Sequence, residues 1–135
     1  MPAVAEPAPD GAGPRHPRDR RFPRSVYGQG EEPDPRFSLA NERTFLAWLR
    51  TALAMYAAAF ALEALSLPEA TGWRIAAAAV FLALGTLSVV QAWIGWRATE
   101  RSLRRSEPLP GLSTGAVLVI GVVIAAALVT LGLYA

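Results

Sequence analysis

The chain has 135 residues, with 13 arginines, no lysine, 11 acidic residues, one histidine and no cysteine, giving a formal charge of +2 and a pI near 9.7. That length bounds it to one domain, and the missing cysteines exclude a disulfide scaffold, thiol catalysis and cysteine-ligated metal. The 53% of hydrophobic residues is unevenly spread: eight of the 11 prolines fall in the first 36 residues, while two later stretches of more than 20 residues carry no charge, which excludes an ordinary soluble domain.

Residues 1–36 mix Pro, Ala, Gly, Arg and acids with no helical or alternating period. Such a segment buries too little apolar area to offset its ordering entropy, so a disordered tail is expected. Arg20-Arg21 resembles part of a twin-arginine signal, but Pro23 to Pro35 is polar where a short apolar region should follow, so no cleaved signal is expected.

The first helix is expected to start near Ser38, with Ser38 or Asn41 as its cap, and to end at Pro68. Its apolar part, about residues 44–67, is interrupted only by Arg50 and Glu63. At 1.5 Å per residue, about 22 residues cover a hydrocarbon core of roughly 30 Å. A short loop leads to a second span, about 73–96, with Trp73 at one end and Trp93 and Trp96 at the other, as interfacial belts require. This helix should continue through Arg97 to Arg101 and stop before Pro108. The third span, about 112–134, is uncharged. The expected fold is therefore all-α: a three-span transmembrane bundle over residues 37–135, with every spanning backbone group satisfied within its helix.

Seven arginines precede the first span, and Arg97, Arg101, Arg104 and Arg105 lie between the second and third. The positive-inside rule then predicts a cell-membrane protein with its N-terminus and second loop cytoplasmic and its C-terminus outside.

Arg50 lies two turns deeper than Arg43 on nearly the same face. An arginine there costs several kcal/mol unless it snorkels, pairs or faces water. Ala40, Arg43, Ala47, Arg50, Ala54, Ala57, Ala61 and Ala64 recur at steps of three and four, forming a stripe of alanine and arginine alone. Small residues permit close helix approach, but packing does not account for the arginines. Arg43 and Arg50 are thus the candidate pore- or anion-facing residues. Depth matching puts Gln91 level with Arg50 as a candidate partner, and Glu63 within reach of Arg74. Arg97, Arg101, Arg104 and Arg105 mostly share a basic face, with Glu100 placed to pair with Arg104. That face sets topology and attracts anionic lipid or, in a ring of copies, forms a vestibule for polyanions.

No catalytic, cofactor or metal residues are assigned: His16 stands alone in the tail, and no glycine-rich phosphate loop follows a strand. The tail lacks the interleaved aromatics of a nucleic-acid binder.

The run Leu39-Ala40-Asn41-Glu42-Arg43-Thr44-Phe45-Leu46-Ala47-Trp48-Leu49-Arg50-Thr51 resembles the signature of the YidH-like family of bacterial inner-membrane proteins of unknown function. The same domain is similar to the small three-helix subunit of the vacuolar transporter chaperone (VTC) complex, which makes and translocates polyphosphate. That resemblance spans residues 36–135 and implies a ring of such domains around a pore lined by Arg43 and Arg50, with Glu42 beside them. This chain carries no counterpart of the soluble VTC domains, so polyphosphate synthesis is not implied. Two functional readings follow. One is a non-enzymatic homo-oligomer forming an anion or polyphosphate-type passage; the other is an accessory subunit docked on another membrane protein.

Overall fold

The computed structural model describes residues 20–111 and 115–135. Their elements in order are α1 (Arg24–Tyr27), α2 (Pro35–Ala64), α3 (Thr71–Arg105) and α4 (Gly115–Tyr134). The last three are long and apolar enough to cross a membrane, and the fold is the all-helical three-span bundle expected.

α2 begins three residues before the expected start. Asp34 is its cap, accepting a 2.9 Å hydrogen bond from the Arg36 amide, and Pro35 occupies the first helical position. Proline is suited there, since its missing N–H has no intrahelical acceptor and its fixed φ is already helical. Ser38 and Asn41, freed from capping, point instead at α3. α2 ends at Ala64, and Ser66 turns the chain with φ +52° ahead of Pro68.

At 35 residues α3 is about 52 Å long, well beyond the hydrocarbon thickness. Its last turns therefore stand clear of the apolar layer, as the run from Arg97 suggested. Ser106 closes it in the left-handed conformation, and the Glu107 amide returns to the Ser102 carbonyl at 2.9 Å.

α3 is the central helix. It packs against α2 on one side and α4 on the other, whereas α2 and α4 do not meet. Small residues make this possible: Ala77, Ala78, Gly85, Ser88 and Ala92 of α3 are buried, as are Ala52 and Ala59 of α2 and Ala125 and Gly132 of α4. Without a hydrophobic force between helices in lipid, such close backbone approach supplies the attraction. A Cβ at Gly85 would sit 2.6 Å from the Tyr56 ring, and one at Gly132 2.5 Å from the Pro68 ring. The Tyr56 hydroxyl reaches Thr86 Oγ1 at 3.1 Å, and Arg74 Nε lies 3.5 Å from Glu63 Oε2 as anticipated.

The segment before α2 differs from expectation. Residues 1–19 lie outside the described residues, but from Arg20 onward the chain lies against the polar end of α3 rather than remaining unstructured up to residue 36. Tertiary contacts account for the difference: Val26 is fully buried, and the Glu31 amide donates to the Arg104 carbonyl at 3.1 Å, satisfying one of the free acceptors at the helix end. Gly30 makes the approach possible. Its φ of +63° suits glycine, and any Cβ there would collide with the Arg104 carbonyl oxygen.

Candidate functional site

Two features concentrate polar chemistry, on opposite faces of α2. The first is a buried network at the polar end, where the start of α2 meets the last turns of α3. Glu100 and Arg104 are each only 3% exposed at the side chain, and Arg104 Nε lies 3.7 Å from Glu100 Oε1. Glu100 also accepts from Ser38 Oγ at 2.9 Å and from Asn41 Nδ2 at 3.3 Å, while the Asn41 amide donates to the Trp96 carbonyl at 3.0 Å. A buried carboxylate is tolerable only with such donors around it.

The segment from Arg20 to Asp34 caps this network. Glu32 accepts two hydrogen bonds from Arg21, at 2.9 and 2.7 Å, and lies 3.4 Å from Arg104. The Arg21 hydrogen bond holds the Glu32 carboxyl below its ordinary pKa, outweighing the effect of burial. Two guanidiniums approach the Tyr27 ring, with Arg21 4.6 Å and Arg104 4.7 Å from its centre. Burial pushes the Tyr27 phenol up, with Glu100 adding to the effect. Phe22 stacks on Trp93, and Tyr27 and Phe45 flank Trp96.

The expected basic face is therefore partly covered. Arg104 is buried under the segment, Arg105 donates to Gln29 Oε1 at 2.6 Å, and Arg97 reaches Ser25 Oγ at 3.5 Å. Arg97 and Arg101 are half-buried.

The second feature is the alanine–arginine stripe. All eight residues, Ala40, Arg43, Ala47, Arg50, Ala54, Ala57, Ala61 and Ala64, are exposed, because α2 turns its Asn41, Ala52 and Ala59 face to α3. Arg50 is nine residues beyond Asn41, half a turn round the helix. Gln91 is at the expected depth but on the wrong side: it is half-buried on α3, its amide beside Gly95, and it does not bond Arg50. Glu42 is exposed at the edge of a groove of about 300 Å³ between Phe45, Leu46, Trp93 and Trp96. The structure thus brings Arg43 and Arg50 together on one uncovered face and separates both from Gln91 and the α3 arginines.

Sequence reasoning missed Ser38, Asn41 and Trp96 as network members and Glu32 and Tyr27 as its cover. The only local signal was an asparagine two residues ahead of Arg43 on a different helix face.

Comparison with known proteins decides the family. The family described as "Domain of unknown function (DUF202)" matches residues 36–102. An uncharacterized protein of Mycobacterium tuberculosis, Rv2272, is 47% identical over 92 residues, covering 67% of this chain and 75% of that one. The inner membrane protein YidH of Escherichia coli K12 is 41% identical over 107 residues, covering 77% of this chain and 90% of its own. The chain belongs to the DUF202 family of YidH-like membrane proteins. No solved structure matches it. The matched DUF202 segment contains both features: the whole exposed stripe, and Ser38, Asn41 and Glu100 of the network. Arg104, α4 and the capping segment lie outside it.

Proposed function

We infer that this DUF202 protein is a non-enzymatic component of the bacterial inner membrane that self-associates through the exposed stripe of α2, setting Arg43 and Arg50 of several copies around a passage for anions, polyphosphate among them. The observation that carries the reading is Arg50, exposed in a stripe of alanines that no helix among the described residues covers. Facing lipid, an arginine inside a span is unfavourable, by about 3 kcal/mol at the helix centre. Facing a shared aqueous axis it is hydrated, and the flanking alanines let neighbouring backbones approach. Neighbouring copies also separate the arginines by water rather than hydrocarbon, so their mutual repulsion is screened. An inner-membrane location agrees with the name carried by the YidH relative, and the arginine distribution favours a cytoplasmic N-terminus and an external C-terminus.

The test is flux of chloride, phosphate and short polyphosphate through proteoliposomes holding the full chain. The parent should conduct at least one of them, and Arg50→Ala should lower that flux, because the ring of charge that attracts the anion into the pore is removed. If neither conducts, the passage is excluded; if both conduct alike, Arg50 does not line it and the stripe reading fails. A monomer that purifies with one other membrane protein would favour the accessory-subunit reading instead.

A further inference from the structure

The polar end of α3 contains donors that the protein itself leaves unanswered. Among the described residues Nε of Arg97 and Nε of Arg101 are buried and have no hydrogen-bond acceptor; Nε of Arg74 and of Arg104 share this, but those two guanidiniums lie beside carboxylates. Among the described residues no carboxylate stands within ion-pair distance of either guanidinium, although Arg104, one turn on, is held between Glu32 and Glu100. Among the described residues the acceptor that Arg97 reaches is Ser25 Oγ, at 3.5 Å. A buried charged donor without an acceptor is costly, so two neighbouring ones with no carboxylate beside them call for an anion. Positions 97 and 101 are one turn apart and share a face.

Directly beneath them, towards the membrane, is the open groove between Phe45, Leu46, Trp93 and Trp96, with Glu42 at its edge. Its walls are mostly apolar and aromatic, and Arg97 adjoins it, with its guanidinium 5.9 Å from the Trp93 ring centre, while Trp93 and Trp96 stack with their centres 5.6 Å apart. Arg101 follows one helical turn beyond Arg97. Indoles at this position mark the boundary between hydrocarbon and headgroups. The arrangement has a cationic rim above an apolar channel at the membrane interface, which is the polarity of a phospholipid and not of a free anion.

We propose that Arg97, Arg101 and the Trp93–Trp96 groove form a binding site for one anionic phospholipid, its phosphate on the two guanidiniums and an acyl chain in the groove. Glu42 faces the headgroup region and disfavours a second negative charge there, so a headgroup of single charge fits best. Ser25 and the segment around it cover the phosphate from the water side.

The site is tested with the full chain reconstituted in phosphatidylcholine vesicles containing phosphatidylglycerol with brominated acyl chains, reading tryptophan quenching against brominated phosphatidylcholine. Trp48 and Trp73 contribute equally to every variant compared. The parent should associate with the anionic lipid about thirtyfold more strongly, the scale expected for two arginines at a membrane surface. Arg97→Gln with Arg101→Gln should bring the preference below about twofold. Arg105→Gln should leave it intact, and the charge-conserving Arg97→Lys with Arg101→Lys should retain most of it, which a folding defect would not. The proposal is overturned if the glutamine pair keeps the preference, or if Arg105→Gln removes it equally, which would mean diffuse surface attraction. Millimolar inorganic phosphate that abolishes the preference would assign the site to a soluble anion and overturn the lipid.

Discussion

Asn41 and Glu100 stand 59 positions apart in the chain and meet at 3.3 Å, the amide of one donating to the buried carboxylate of the other. With the second Asn41 bond to the Trp96 carbonyl, this fixes the register of α2 against α3 at the end where both leave the membrane. Small-residue packing alone allows two helices to slide; a buried amide–carboxylate contact does not, because a slip strands both groups.

Replacing Asn41 should therefore be costly. Asn41→Ala removes a donor from a carboxylate that is 3% exposed and should destabilise the bundle by about 1–3 kcal/mol. Asn41→Asp should be worse, since it sets a second carboxylate beside Glu100. Thermal unfolding in detergent, followed by near-ultraviolet dichroism, ranks them. Equal midpoints for the parent and Asn41→Ala would show that the contact does not hold the helices.

Gly30→Ala should release the segment over α3 without disturbing the spans. The added methyl collides with the Arg104 carbonyl oxygen, and the positive φ disfavours any side chain. Trypsin cleavage at Arg21 and Arg24 should accelerate severalfold, while cleavage in the spans stays absent. Unchanged cleavage would mean that the segment is not held there.

Acid should loosen the same segment. The folded Glu32 carboxyl titrates below its ordinary value of 4.5, so its contribution is complete above that value and fades as pH falls through the lowered one. Its side chain is 60% exposed, which keeps the effect modest. Because the chain has no cysteine, a single Glu31→Cys label reports the release by its anisotropy. The parent should lose anisotropy only below pH 4.5, and Glu32→Gln should show no such acid step.

Gly132→Ala should weaken the α4 contact more than Gly121→Ala. At Gly132 the new methyl meets the Pro68 ring and the Trp73 Cβ, at 2.5 and 2.6 Å, and neither can rotate away. At Gly121 it meets only the end of the Leu84 side chain, which can change rotamer. Protease release of α4 in detergent distinguishes the two.

The spans were legible because twenty-odd uncharged residues leave little else for a chain to be, and the Glu63–Arg74 pair followed from the short loop between them. The i,i+4 pairing of Glu100 and Arg104 was also legible, but not its burial. Burial comes from Ser38, Asn41 and the segment through Glu32, whose sequence separation no local pattern reports. Asp34-Pro35 reads equally as a breaker or as a cap with proline at the first helical position, and the helix start was misplaced by that ambiguity. Arg50 illustrates the remaining limit. Its depth follows from counting residues, but its face depends on which side of α2 packs on α3. The stripe's alanines suited packing as well as exposure, and it was Asn41 on the opposite side that decided.

The central claim is that the uncovered stripe joins copies of this chain. Cysteine substitution at Ala57, within the stripe, and at Val123, an exposed apolar position of α4, compares the two surfaces in native membranes. Under a short thiol crosslinker, Ala57→Cys should give dimers efficiently while Val123→Cys stays monomeric. Equal crosslinking at both positions, or none at Ala57→Cys, would contradict the account.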